Sequence, residues 1–300
     1  MMELFYLDYG GNVANQMQTY FSILSVLAYS KVPPHIAVVT DHGEAYQRFS
    51  SFVETIEIDQ QMLQQWRGER DYSFRIKIKA IQHAVAYLGK KEDAPDAFMY
   101  IDCDTFATRD LTPLIQDVEA GVAYMHKNEG MPYLTHGPSK RLWDAVKGKS
   151  YCGIQIDETA EMWNSGLIAM PASKAADICE LTLRLCDEML ADGVRSFNVE
   201  QFCFMLAMRQ YCQSIHSAES DFCHYWGNKE GWNRLQADFF VKSYMEQHSL
   251  EQDVQLMREM NPSSVPYYMK SPIWRKRFLR WVDCIAPLKN IQYWERTSPK

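Results

Sequence analysis

The stretch 98-FMYIDCDTFATRD-110 joins an apolar run to two aspartates that are separated by one residue. Two carboxylates this close raise each other's pKa and repel unless a cation lies between them. In an extended strand residues i and i+2 point the same way, so Asp102 and Asp104 would converge while Cys103 faces away. Hard divalent cations prefer oxygen ligands and keep positions open for phosphate oxygens. The stretch therefore predicts a metal site, although D-x-D also arises by chance on solvated loops.

The segments around this stretch alternate between strand-like and helix-like patterns. A short apolar run ends at the glycine turn 9-YGGN-12, and the next segment carries apolar residues at helical spacing. Such alternation predicts an α/β fold with a doubly wound sheet, whose ligands bind beyond the carboxyl ends of the strands. The run 97–102 is apolar on both faces, as in interior strands of a mostly parallel sheet. The predicted strands are 3–8, 36–40, 52–58, 97–102, 121–126 and 165–170, and the predicted helices are 14–30, 73–89, 173–193 and 198–211.

Two further features concern the second half of the chain. Residues 127–153 are rich in Gly, Pro, Ser and Lys and predict a long irregular insertion, which in a compact domain is usually functional or mobile. Ser173 is the predicted N-cap of the helix 173–193, and Gly193 closes it.

Composition limits the classes of function. The 300 residues carry a net charge of -7 with a pI near 5.7, which argues against a general nucleic-acid binder. Eight cysteines occur without a C-x-x-C pair, so zinc-ribbon and thioredoxin-like sites lack support and most of the thiols are expected to be buried. The N-terminus lacks a secretory pattern, and no window holds 18 apolar residues. We therefore expect a cytoplasmic protein without a spanning helix.

Three other segments carry residues suited to a metal-phosphate site. The segment 163-WNSGLIAMP-171 brings small polar groups to the start of a strand, and a glycine there lets a ligand approach the backbone. The segment 224-HYWGNKEGW-232 holds a histidine able to bind metal and a lysine suited to phosphate. The segment 75-RIKIK-79 places Arg75 and Lys79 on one helix face, where they could neutralise phosphates. Each segment also has an ordinary interpretation. The first can be a turn that enters a strand, the second can hold a structural histidine, and the third can be a solvated helix surface.

Together these segments resemble the metal-dependent glycosyltransferases of the GT-A fold, particularly the glycogenin-like and lipopolysaccharide galactosyl- and glucosyltransferase group. The resemblance spans roughly residues 3–235 and depends on Y-I-D-C-D-T, on N-S-G about sixty residues later, and on H-x-x-G with a following Lys and Trp. It implies that Asp102, Asp104 and His224 bind Mn²⁺ or Mg²⁺, which bridges the diphosphate of a nucleotide sugar, with a UDP-sugar favoured. It further implies nucleotide contacts for Leu7, Asp8 and Tyr9, a phosphate contact for Arg75, contacts near the sugar for Asn164 and Ser165, and phosphate contacts for Gly227 and Lys229.

The chain also departs from that family. Its histidine segment usually continues with Lys-Pro-Trp, whereas Lys229 comes one residue early and Glu230-Gly231 precede Trp232. The segment 199-VEQ-201 stands where many members have Asp-Gln. Glu200 is the candidate acceptor base, and a retaining enzyme of this kind can work without one. The resemblance implies a glycan or a lipid-linked acceptor, and it divides the chain into a catalytic region, 1–245, and a helical C-terminal extension, 246–300.

The last thirty residues are basic and aromatic. Residues 271–300 hold seven Lys or Arg against two acids, interleaved with Trp274, Phe278, Trp281 and Trp294. This pattern suits an anionic membrane surface and predicts a peripheral contact with the inner face of the membrane. A C-terminal helix docked on the body with a basic outer face fits the same pattern.

Two other functions fit the aspartates. D-C-D-T matches the D-x-D-x-T nucleophile motif of haloacid-dehalogenase-like phosphatases, with Asp102 attacking phosphate and Asp104 as acid. That motif comes here after about a hundred residues, and no later D-D or G-D-x-x-x-D pair follows it. The second alternative is a noncatalytic domain that binds nucleotide sugars or carbohydrates.

Overall fold

The strands form one large sheet and three small ones. The computed structural model describes residues 1–32, 34–269 and 291–295. The strands among these residues are β1 (Met2–Asp8), β2 (His35–Thr40), β3 (Val53–Glu57), β4 (Ala97–Ile101), β5 (Thr105–Ala107), β6 (Ala123–Gly130), β7 (Ser150–Tyr151), β8 (Ile154–Gln155), β9 (Met162–Pro171), β10 (Ile215–Ser217), β11 (Phe222–His224), β12 (Pro266–Met269) and β13 (Ile291–Tyr293).

Helices connect most of these strands. Short 3₁₀ helices cover Gly43–Phe49 and Pro132–Leu134. The α-helices of the described residues are α1 (Val13–Tyr29), α2 (Gln60–Arg67), α3 (Ser73–Leu88), α4 (Thr112–Glu119), α5 (Pro138–Val146), α6 (Ala172–Ala191), α7 (Val199–Tyr211), α8 (Lys229–Met245) and α9 (Leu250–Glu259).

The large sheet is mixed and has seven strands in the order β10-β6-β9-β4-β1-β2-β3. Strands β3, β2, β1 and β4 are parallel, and β9 runs antiparallel between β4 and β6. Because β9 is antiparallel, its first residues lie beside the carboxyl end of β4. This topology confirms the predicted α/β class with a mixed sheet.

Helices cover both faces of this sheet. In β4, Phe98 and Tyr100 face one buried cluster, which includes residues of α2, α3, α6 and α7. Met99 and Ile101 face the other cluster, to which α1, α4, α8 and α9 contribute. The strand is therefore buried on both faces, which explains why its sequence is a continuous apolar run.

Most of the predicted elements are present, with two corrections. Residues 127–153 are not a long irregular insertion, because β6 extends to Gly130 and α5 buries Leu142 and Trp143. Ser173 is not an N-cap, because α6 begins directly after β9 with Pro171 at the cap position and no side-chain cap bond. The seven described cysteines are free thiols and four of them are buried.

The described part of the C-terminal extension packs on the rest of the chain. In α9, Met257 is buried and Arg258 Nε donates to the Ala28 carbonyl at 2.9 Å. Strand β12 pairs with β13, and Trp294, which follows β13, lies in the core and does not face outward. The predicted membrane contacts Trp274, Phe278 and Trp281 lie outside the described residues. Within the described ranges, no helix combines the length and hydropathy that crossing a bilayer requires.

Candidate metal and phosphate site

The two aspartates lie in a turn that follows β4. The Asp102 amide donates to the Gly166 carbonyl of β9 at 2.9 Å, and the Thr105 amide donates back to the Asp102 carbonyl at 3.0 Å. The extended conformation expected from the sequence is therefore wrong for residues 102–104. Cys103 does face away, since its thiol donates to the Leu7 carbonyl at 3.2 Å.

A short antiparallel pair brings His224 to the aspartates. Strand β5 pairs with β11 so that His224 lies opposite Thr105, and the Tyr225 amide donates to the Asp104 carbonyl at 3.1 Å. One ligand atom from each of Asp102, Asp104 and His224 lies within 4.8 Å of the others. The predicted ligands thus come together, although they are far apart in sequence.

Asn164 orients the imidazole of His224. The Asn164 Oδ1 lies 2.9 Å from His224 Nδ1 and also accepts the Gly166 amide at 2.9 Å. Nδ1 is therefore the protonated nitrogen, and Nε2 faces Asp104 Oδ1 at 3.3 Å. Partners that fix the tautomer and orientation of a metal-binding histidine in this way usually contribute substantially to metal affinity.

Gly166 leaves the space that this imidazole occupies. A Cβ added at position 166 would lie 2.2 Å from His224 Nδ1, far inside contact distance. Position 166 must therefore be glycine if His224 is to keep its position.

Lys229 balances the charge of Asp104. Its Nζ lies 2.8 Å from Asp104 Oδ2, and the lysine side chain is 53% exposed. Burial opposes ionisation of Asp104, but the neighbouring His224 and Lys229 outweigh it and hold the pKa of this carboxyl below its usual range. Asp104 is thus an anion, and the exposed ammonium group of Lys229 can also contact a phosphate.

Lys77 is a buried cation beside Asp102 that the sequence reasoning missed. Its Nζ donates to the Ser165 carbonyl at 2.7 Å and to Ser165 Oγ at 3.0 Å, and it lies 3.1 Å from Asp102 Oδ1. Burial lowers the pKa of Lys77, but Asp102 and Glu200 outweigh this effect and raise it. Lys77 shares its buried helix face with Ile81, Ala84 and Leu88. A lysine within such an apolar stripe is unusual, and this position in the sequence could have identified it as a buried, paired cation.

Arg75 and Lys79 make their contacts elsewhere. The Arg75 guanidinium binds both carboxylate oxygens of Asp187 on α6, at 2.7 and 2.9 Å, and donates to the Trp66 carbonyl. Lys79 donates to Gln82 on its own helix. Neither contacts the aspartate cluster, because both lie on a different face of α3 from Lys77. On α3 the cation that contacts the cluster is Lys77, and phosphate contacts for Arg75 and Lys79 stay a prediction.

Ser165 and Glu200 complete the buried side of the cluster. Ser165 Oγ donates to Glu200 Oε2 at 3.1 Å, and Lys77 Nζ lies 3.4 Å from Glu200 Oε1. Burial raises the pKa of Glu200 more than Lys77 lowers it. Glu200 is buried and faces Ser165 and Lys77, so its carboxylate supports the position of these two side chains.

The end of β1 lies next to the cluster. Leu7 is joined to Cys103 by the thiol contact described above, and Tyr9 is half-buried at the carboxyl edge of the sheet. Asp8 is buried and accepts the Tyr46 hydroxyl at 2.6 Å, while its Oδ1 has no hydrogen-bond partner. Burial raises the pKa of Asp8. The unpaired oxygen is also inaccessible to solvent.

Gly227 contacts protein and not the cluster. A Cβ at this position would lie 2.1 Å from the Tyr268 ring, and the Gly227 carbonyl accepts the Met269 amide at 3.3 Å. Gly227 therefore packs against β12, and the phosphate contact expected for it stays a prediction.

The donor set is compatible with a divalent metal ion. It offers two carboxylates and one imidazole nitrogen, while the nearby sulfur of Cys103 is turned away. Carboxylate ligands suit magnesium and manganese, whereas thiolates favour zinc.

Comparison with known proteins does not assign this chain to a family. No protein-family model matches this chain, and neither does any curated protein. Function is therefore inferred from the geometry of the site.

Replacement of Lys77 by methionine tests the buried charge cluster. The variant leaves Asp102 and Glu200 without their shared cation while keeping a side chain of similar length. We expect the free energy of unfolding to fall by about 3 kcal/mol, the lower end for a broken buried ion pair, because Asp102 retains contact with solvent. Chemical denaturation measures this loss. Lys79→Met on the same helix is the control, and an equal loss in both variants would contradict the assigned role of Lys77.

Proposed function

We propose that this protein is a metal-dependent glycosyltransferase of the GT-A type that uses a nucleotide-diphosphate sugar, with a UDP-sugar favoured. The observation that carries the proposal is the convergence of Asp102, Asp104 and His224 at the carboxyl edge of the mixed sheet, with Lys77 and Lys229 on either side. Ligands of doubly wound sheets bind at this edge.

The orientation of His224 supports a cation at the cluster. Because Nδ1 donates to Asn164, the other ring nitrogen, Nε2, points at the carboxylate oxygen Asp104 Oδ1 at 3.3 Å. A ring nitrogen and a carboxylate oxygen that point at each other in this way can bind one metal ion together. The third ligand, Asp102, adds a second negative charge, which favours a divalent ion.

The residues around the ligands fit a diphosphate donor. A bound Mn²⁺ or Mg²⁺ would neutralise charge that develops on the diphosphate leaving group. Lys229 is exposed beside Asp104 and adds a second positive charge for the phosphates. Tyr9, which is half-buried at the end of β1, would contact the nucleoside, and the buried Asp8 precedes it in the chain. Asn164 and Ser165 line the same edge, where the transferred sugar would lie.

Glu200 has a positioning role in this proposal. Its carboxylate is buried and bonds to Ser165, so it holds Ser165 and Lys77 against Asp102. This differs from the acceptor base suggested by its place in 199-VEQ-201.

The phosphatase alternative conflicts with the electrostatics of Asp104. A D-x-D-x-T phosphatase needs the second aspartate to donate a proton to the leaving group. His224 and Lys229 lower the pKa of Asp104, which favours its ionised form over the protonated acid. The environment suits a metal ligand better than a general acid.

Thermal unfolding with ligands tests the proposal. Mn²⁺ is added with UDP, GDP, their common sugar conjugates, or ADP as control. A ligand that binds only the native state at about 100 times its Kd stabilises it by about 2.7 kcal/mol, so the Tm rises by several degrees. We expect one nucleotide sugar to give this rise and EDTA to abolish it. Absence of any rise, together with phosphate release from p-nitrophenyl phosphate, would favour the phosphatase.

A further inference from the structure

A cavity lies at the N-terminal end of α3, the helix that carries Lys77. It has a volume of about 580 Å³ and opens between the N-terminus of α3, helix α5 and the loop that joins α6 to α7. Three arginines, Arg70, Arg141 and Arg195, line it from three separate segments of the chain. The fold therefore brings together three cations that are far apart in the sequence.

The positive charge of this cavity is not balanced by protein carboxylates. All three arginines are exposed, and among the described residues none of their guanidinium groups makes an ion pair or a hydrogen bond. The acid in the lining, Asp71, lies 3.2 Å from a fourth arginine, Arg67. A concentration of free guanidinium groups in a chain of net charge -7 points to an anionic ligand.

Aromatic side chains share the cavity with the arginines. Phe74 and Phe197 also line it and are 41% and 56% exposed, which is high for large apolar side chains. Exposed rings next to free cations suit a ligand that combines apolar ring faces with negative charge. A phosphorylated sugar has both, because its C–H faces can cover the rings while its phosphate binds the arginines. Guanidinium groups bind phosphate through paired hydrogen bonds.

The cavity is joined to the candidate site through two structural links. Ser73 lines the cavity and precedes Lys77 by one helical turn, about 6 Å along the helix axis. Tyr72 also lines the cavity, donates its hydroxyl hydrogen to the Phe197 carbonyl at 2.9 Å, and accepts the Glu200 amide at 3.3 Å. A ligand in the cavity would therefore lie close to Lys77 and Glu200, at the same edge of the sheet.

We propose that this cavity binds a phosphorylated saccharide, and, resting on the proposed function, that this saccharide is part of the acceptor. The phosphoryl group is the best match to the charge, since three guanidinium groups offer more hydrogen-bond donors than the two oxygens of a single carboxylate can use. The sugar ring lies against Phe74 and Phe197. The acceptor then reaches the donor site along the wall formed by Tyr72 and the start of α3.

Calorimetric titration with glucose 6-phosphate tests the proposal. Glucose and inorganic phosphate are titrated separately for comparison. In the triple variant Arg70→Ala/Arg141→Ala/Arg195→Ala we expect the Kd for glucose 6-phosphate to rise at least tenfold. The control Arg184→Ala/Arg234→Ala/Lys242→Ala removes the same charge from exposed positions elsewhere, and we expect it to bind as the unmodified protein does. Phe74→Ala/Phe197→Ala is expected to weaken binding of glucose 6-phosphate while sparing inorganic phosphate.

Three results would overturn the proposal: no binding of glucose 6-phosphate, equal weakening in both triple variants, or equal affinity for glucose 6-phosphate and inorganic phosphate. Thermal unfolding of the arginine variant with Mn²⁺ and nucleotide sugars separates this inference from the proposed function. If the variant loses the sugar phosphate and keeps the donor response, both proposals are supported. If the unmodified protein binds sugar phosphate through the arginines and shows no donor response, the cavity is a binding site and the transferase proposal fails.

Discussion

Replacement of Asp104 by asparagine is expected to abolish Mn²⁺ binding and to lower sugar transfer by roughly 10³-fold, corresponding to several kcal/mol of lost electrostatic stabilisation. Asparagine keeps the shape of the side chain but removes the charge that faces His224 and Lys229. The Asp104 backbone contact to Tyr225 does not depend on the side chain, so the fold is expected to persist. Manganese titration followed by electron paramagnetic resonance measures the first effect, and donor turnover measures the second.

Asp238→Asn is the matched control. Asp238 is an exposed carboxylate on α8, and its replacement removes the same charge from the surface of the protein. We expect manganese affinity and turnover to be unchanged in this variant. If Asp104→Asn bound manganese and transferred sugar as the unmodified protein does, Asp104 would not be a metal ligand and the proposed function would lose its main support.

Replacement of Gly166 by alanine has the second largest expected effect, although this residue is not itself a ligand. The added methyl group would lie 2.2 Å from His224 Nδ1, so the imidazole must move and its contacts with Asn164 and Asp104 are lost. Loss of such orienting contacts lowers metal affinity about 10- to 100-fold. The Kd for manganese, measured by calorimetry, gives the size of the effect.

A double-mutant cycle shows whether this effect acts through His224. In a His224→Ala background the space beside position 166 is open, so Gly166→Ala should cause no further loss of manganese affinity. Gly148→Ala controls for general destabilisation, because a Cβ added at Gly148 would meet no atom within 4 Å while its φ is +73°. That control should cost about 1–2 kcal/mol of stability from backbone strain and leave manganese binding unchanged. A full further loss in the His224→Ala background would contradict the steric explanation.

Local patterns in the sequence were sufficient for six of the seven strands of the large sheet, and β10 was the exception. The apolar run 97–102 and the helical spacing of 14–30 each correspond to an observed element, β4 and α1, within one or two residues. These patterns are readable because a strand buried on both faces and an amphipathic helix each require a fixed periodicity of apolar residues. The same logic located Asp102 and Asp104 at the carboxyl end of a central strand.

The direction in which each side chain points was harder to predict from the sequence. The sequence favoured Arg75 as the basic residue of α3, but Arg75 pairs with Asp187 and the buried Lys77 contacts Asp102. The two residues lie on different faces of one helix, and which face meets the strand ends is decided by packing against α6, α7 and the sheet. The turn at 102–104 was likewise set by its contacts with Gly166 on β9.

The sequence by itself determined the α/β class, most strands of the large sheet, and the carboxylates and histidine suited to a divalent ion. Tertiary structure alone decided that His224 lies beside Asp104, that Gly166 makes room for it, and that Arg70, Arg141 and Arg195 line one cavity. The physical reason is the range of the interactions. Periodicity and capping act over a few neighbouring residues, whereas these contacts depend on strand register and helix packing between segments that are distant in the chain.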